Sequence, residues 1–173
     1  MTSVALVAPV LPSKKLFYAD KLPAVDALTP EMLGRYAGIR DRLAAAGVPG
    51  FDVERLYRAL QANGEPVYYR TDQHWTQSAA DATAQATADL IHQLVPKLAG
   101  AAGTGLALGA ISKERRYGDL AERFLSPEQR RAAGREIFTV RRQTQTTGLL
   151  DAAIAHVHVT GNSMVQPYFG FPQ

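Results

Sequence analysis

Tyr68-Tyr69-Arg70-Thr71-Asp72-Gln73-His74-Trp75-Thr76 is the stretch on which the reading of this chain turns. An aromatic, strand-like run over residues 66–70 ends, a polar turn follows, and a carboxylate and an imidazole arrive two residues apart. A helix pattern then begins. A base and its orienting acid at the exit of a strand are how many hydrolytic and acyl-transfer sites are built. The same residues also suit a plain helix-entry turn, with an acid near the positive amino end. Trp75, the single tryptophan, reads as a packing anchor beneath the turn.

Downstream of the turn, residues 76–95 read as an alanine-rich helix. Thr83, Ala86, Thr87, Leu90, Ile91 and Leu94 recur at three and four residues and define its buried stripe, and Pro96 stops it. His92 is an ordinary residue of this helix. Upstream, Thr29-Pro30-Glu31 combines a capping hydroxyl, a proline at the first helical position and an acid in the first turn. Leu33, Tyr36, Ala37, Leu43 and Ala44 fall on one face of that helix, and Gly47 ends it. Residues 54–62 form a short amphipathic helix with Leu56, Tyr57 and Leu60 inward and Asn63-Gly64 as the stop. Short apolar runs at residues 4–10 and 51–53 read as buried strands, and further strands are expected at 136–140 and 154–160. Residues 117–125 suggest a short helical piece, Ser126-Pro127-Glu128-Gln129 is a capping box, and residues 144–148 suggest a polar turn. Residues 98–109, rich in glycine and alanine, match neither a helix stripe nor a phosphate loop. The alternation argues for an α/β fold with a mostly parallel sheet, in one domain over residues 1–173.

The chain's 173 residues suffice for a single core, and 46% apolar with 20% charged residues is a globular composition. A formal charge of +3, scattered along the chain, does not favour nucleic acid. Arg130, Arg131, Arg135, Arg141 and Arg142 are the densest basic group and read as a solvated face. With no cysteine, disulfides, thiolate catalysis and cysteine-based zinc sites are excluded. No apolar run approaches the ~20 residues of a membrane span.

An acid–base pair needs a nucleophile, and the best candidate is Ser163 in Gly161-Asn162-Ser163-Met164. Glycine two positions earlier permits a sharp turn off a strand. That would expose a hydroxyl at the carboxyl edge of a sheet, where open α/β folds bind ligands. Serine is a poor nucleophile until a base takes its proton; His74 is the candidate base and Asp72 its partner. By itself Gly-Asn-Ser also fits any loop turn.

Taken together these segments resemble the SGNH-hydrolase-like alginate O-acetyltransferases, bacterial exopolysaccharide-acetylating proteins with an Asp-x-His-Trp-Thr signature. Val7-Ala8-Pro9-Val10 followed by Lys14 and Tyr18 resembles the family's opening, Tyr117-Gly118-Asp119-Leu120 its Gly-Asp-Leu segment, and Gly161-Asn162-Ser163 its nucleophile turn. Asn162 stands where related turns often carry aspartate or threonine. The resemblance implies a three-layer SGNH-type fold in circularly permuted motif order, with acid and base ahead of serine. It implies Ser163 as nucleophile, His74 as general base and Asp72 as its orienting acid; Lys14 and Tyr18 are expected to be structural. It implies acetyl transfer to a polysaccharide in the periplasm, with acetyl groups delivered by a membrane-bound O-acyltransferase partner and no cofactor. The helix that should follow the nucleophile turn would be cut short at Gln173, so a fragment of a longer protein is expected.

Other readings compete. An acetyl esterase needs only water as acceptor. His156 and His158, on one face of a strand, could join Asp72 and His74 in a zinc or iron site of a metal-dependent hydrolase. A polysaccharide-binding or scaffold domain would keep the fold without turnover.

Overall fold

An aromatic cluster gathered around Tyr68 and Trp75 forms the core. The computed structural model describes residues 5–98, 106–145, 158–162 and 164. Among these, helix α1 is a single turn, Lys14–Phe17, started by the Ser13 hydroxyl, which accepts from the Leu16 N–H at 3.2 Å. Helix α2, Pro30–Ala45, begins as expected, with the Thr29 hydroxyl capping Met32 N–H and proline in the first turn. Helix α3 is Val53–Ala62 and α4 is Gln77–Leu94, capped by Thr76. Strand β1, Leu106–Arg116, leads through Gly118 into α5, Asp119–Phe124. Helix α6, Pro127–Ala133, carries the expected capping box of Ser126 and Gln129, and strand β2, Glu136–Gln145, follows it.

Phe17, Val53, Tyr57, Val67, Tyr68, Trp75, Ala79 and Ala80 are buried together. The Phe17, Tyr57 and Tyr68 rings meet at centroid distances of 5.9–6.1 Å, with two of the three pairs edge to face. Their hydroxyls are satisfied inside the cluster: Tyr57 pairs with Thr83 at 3.2 Å, and Tyr68 donates to the Pro12 carbonyl. Burial pushes both phenols' pKa values up.

The mostly parallel sheet that was expected is not formed among the described residues. Among the described residues β1 pairs with β2 antiparallel, with a bulge between Leu108 and Ile111. The strand expected at 136–140 is present and runs on to Gln145, so residues 144 and 145 belong to it, and the rest of the polar turn placed at 144–148 lies outside the described residues. The strand expected at 51–53 is replaced by a helix start: the Asp52 carboxylate accepts from Arg55 N–H at 3.1 Å and makes Val53 the first helical residue. The described part of residues 4–10 forms no strand, and its Ala8 N–H donates to the Pro49 carbonyl at 2.9 Å. Pro9 has no N–H to offer a neighbouring strand. Residues 66–70 make one bridge, Tyr68 to Trp75, so the chain doubles back on itself. Residues 158–160 are not in a strand, and 154–157 lie outside the described residues.

Helix α2 buries only Tyr36; Leu33 is 48% exposed and Ile39 41%. In α4 the buried residues are Ala79, Ala80 and Thr83, near its start, while Leu94 is 43% exposed. None of the helices among the described residues is long and apolar enough to cross a membrane.

Candidate active site

The turn between Tyr68 and Trp75 has no ladder to satisfy its backbone, so other elements supply the partners. Lys14, at the start of α1, donates to the carbonyl oxygens of Tyr69 at 2.7 Å, Arg70 at 2.9 Å and Asp72 at 2.9 Å. Glu136, at the start of β2, takes the Arg70 N–H at 2.7 Å with one carboxylate oxygen. Its other oxygen takes the Thr71 N–H at 2.9 Å and the Thr71 hydroxyl at 2.8 Å. The amino end of α5 closes a third side: Ala121 N–H reaches the Thr71 carbonyl at 3.1 Å, and Asp119 accepts from Gln73 N–H at 2.9 Å. Gly118 permits this approach, because a Cβ there would lie 2.3 Å from the Thr71 carbonyl oxygen and 2.7 Å from Asp72 Cβ. The Tyr69 ring stacks on buried Phe138 of β2 at 4.1 Å.

Within this frame Asp72 is fully buried and His74 is 6% exposed. Asp72 Oδ1 lies 2.5 Å from His74 Nδ1 and also accepts the His74 backbone N–H at 2.9 Å. Asp72 Oδ2 accepts the Asp119 N–H at 3.0 Å. Burial works to raise the Asp72 pKa, but the N–H donors of Asp119 and His74, with the imidazole itself, outweigh it and hold the carboxyl below its usual range. An ionised carboxylate on Nδ1 fixes the imidazole's tautomer and orientation. Burial lowers the Lys14 pKa, while Glu136, Asp72 and Asp119 pull it back up.

A cleft of about 570 Å³ opens at Gln73, the residue between the two members of the pair, neither of which is among its lining residues. Its described lining includes Leu11, Lys14, Tyr18, Gln73, Asn162 and Met164. Gln73 and the residues flanking position 163 therefore share one cavity although about ninety residues separate them. Asn162 Oδ1 accepts the Met164 N–H at 3.0 Å. Ser163 itself lies outside the described residues, as does His156. His158 is exposed. Among the described residues Asp119 converges on the pair, with one ligand-type atom each of Asp72, His74 and Asp119 within 4.8 Å of one another. Both Asp72 oxygens and one of Asp119 already accept N–H groups, an arrangement suited to a hydrogen-bonded acid–base pair. The arginine group disperses: Arg141 pairs with Asp81 at 3.2 Å, Arg130 donates to the Leu125 carbonyl, and Arg135 lies over the Tyr117 ring.

Asp72 and His74 are paired and buried. Sequence reasoning left out Asp119 and Glu136 as parts of the site. The Gly-Asp-Leu segment held a signal for the first; a glutamate opening a strand is not distinctive.

The described residues make an α/β protein with a buried carboxylate–imidazole pair. The family model described as the SGNH hydrolase-like domain of acetyltransferase AlgX matches residues 2–173, and the chain belongs to that family. Among solved structures, the O-acetyltransferase domain of Pseudomonas putida AlgJ is similar at 22% identity and a TM-score of 0.67, over 82% of this chain and 50% of that one. This likeness carries the fold, and the chain spans about half the length of that structure. Among curated proteins nothing matches the chain.

Proposed function

We propose that this chain carries the acyl-transfer site of an O-acetyltransferase acting on hydroxyls of a bacterial exopolysaccharide through an acetyl-serine at Ser163. The observation that carries the reading is the buried Asp72–His74 pair, 2.5 Å apart, on either side of Gln73, which lines a cleft shared with Asn162 and Met164. Membership of an acetyltransferase family supports it.

Asp72 holds His74 Nδ1, so Nε2 takes the proton of Ser163 Oγ as that oxygen bonds to the donor's acetyl carbon. The carbonyl electrons move to oxygen, where the backbone N–H of Ser163 is the candidate donor; losing one such donor costs about 3–4 kcal/mol. Collapse breaks the bond to the donor's leaving group, which departs with the proton from His74. A sugar hydroxyl then gives its proton to Nε2 and attacks the acetyl-serine. Ser163 recovers that proton as the sugar ester leaves. Water in the acceptor's place gives an esterase.

Lys14, Lys15 and Lys21 line the cleft, with no carboxylate among its described lining residues, and this suits an anionic polymer. By family resemblance the compartment is the periplasm and the acetyl groups come from a membrane-bound O-acyltransferase partner. The test is mass spectrometry after incubation with an acetyl ester, together with turnover assays. An acetyl adduct on the Ser163 peptide, with turnover lost in Ser163→Ala and polysaccharide binding kept, is the expected result. Undiminished turnover in Ser163→Ala rejects the serine route, and absence of turnover in the unmodified chain with binding intact points to a scaffold.

A further inference from the structure

We infer that Lys14 is a positioning residue for the acid–base pair, and that its charge sets the conformation of the loop bearing Asp72 and His74. An ammonium has three N–H donors. Here three carbonyl oxygens, those of Tyr69, Arg70 and Asp72, converge on Lys14 Nζ at 2.7–2.9 Å. Three such oxygens turned to one point repel one another, so the turn depends on a cation at their focus. One of the three belongs to Asp72, whose carboxylate orients His74 at 2.5 Å. Glu136 completes the grip from the opposite polarity by accepting the N–H groups of Arg70 and Thr71 at 2.7 and 2.9 Å. The Tyr69–Arg70 and Arg70–Thr71 peptide units are thus each held by the ammonium at the carbonyl and by the carboxylate at the N–H.

Arginine does not replace this geometry, because its donors lie in a planar fork and cannot meet three acceptors at one atom. Lysine at position 14 is therefore required for more than its charge. Lys14 also lines the cleft, so a ligand seated there borders the clamp.

The experiment compares Lys14→Met and Lys14→Arg with the unmodified chain and with Tyr36→Ala, a destabilising change on α2 outside the loop. The structural readout is the low-field proton resonance of the His74 Nδ1–H bond, which needs no turnover. The kinetic readout is acetyl-ester hydrolysis, and that arm rests on the acyl-transfer reading. Lys14→Met should erase or shift the resonance upfield and lower kcat roughly 10- to 100-fold with KM little changed, the scale expected when a reacting group is misplaced by about an ångström. Lys14→Arg should fold and still show the altered resonance, whereas Tyr36→Ala should keep the native signal. A native resonance in Lys14→Arg, or none in the unmodified chain, overturns the inference. Absence of turnover in every form, with the resonance changing as expected, overturns the acyl-transfer reading alone.

Discussion

The loop over residues 69–74 and helix α2 invert a common intuition about order. Helix α2 is sixteen residues of regular hydrogen bonding, yet it buries one side chain, Tyr36. The loop has no regular structure, yet Tyr69, Thr71, Asp72 and His74 are buried and its backbone is gripped from three elements. Regular geometry satisfies a backbone locally and says little about how firmly a segment is fixed. Long-range side-chain bonds, which leave unpaired buried groups if any one is removed, fix it far more strongly.

The largest contrast should come from Asp72→Asn. Misorienting the imidazole should cut acetyl-ester turnover about 10⁴-fold, by analogy with other acid–base–serine sites, with the fold kept by circular dichroism. Near-native turnover would show that the loop's order serves another purpose. Next comes Gly118→Ala, whose methyl group meets backbone at Thr71 on one side and Asp72 Cβ on the other. Overpacking of this kind should cost about 3 kcal/mol in urea unfolding. Glu136→Ala removes the acceptor for two backbone N–H groups and a hydroxyl, and should cost about 2–3 kcal/mol.

A smaller effect follows from protons. The Asp72 carboxyl sits below its usual pKa range in the folded chain, because N–H donors outweigh the cost of burial. Its contribution to stability is complete above the ordinary carboxylate value and drains away as pH falls through the lowered folded value. Urea midpoints measured down an acid series should fall more steeply in the unmodified chain than in Asp72→Asn. The smallest effect belongs to α2: Ile39→Ala, at an exposed position, should change stability by less than about 0.5 kcal/mol.

The helices were legible because their caps are local. Thr29, Thr76 and Ser126 each start a helix at the expected residue. The acid–base pair was legible because Asp72 and His74 are two residues apart and need no distant geometry to be noticed. Strand β1 was not, since Ile111, Lys113 and Arg115 alternate with Ser112, Glu114 and Arg116, which gives neither face an apolar pattern. Its pairing with β2 comes from the intervening residues 117–135 folding the chain back. Residues 51–53 misled because an aspartate between two apolar residues reads as a strand until its carboxylate is seen capping a helix. The clamps were hidden for a similar reason: Lys14 and Glu136 are single charged residues whose partners lie 55 to 66 positions away.

Those separations govern when the site can exist during synthesis. Lys14 and the turn at 69–72 are able to meet once the first half of the chain is free, but the α5 amino end and Glu136 emerge 46 to 66 residues after the segments they hold. Contacts of such range close late and slowly. A nascent chain halted before Asp119 would therefore carry both Asp72 and His74 without the α5 and Glu136 contacts that help set them, and the loop would be gripped from all three elements only once Glu136 has emerged.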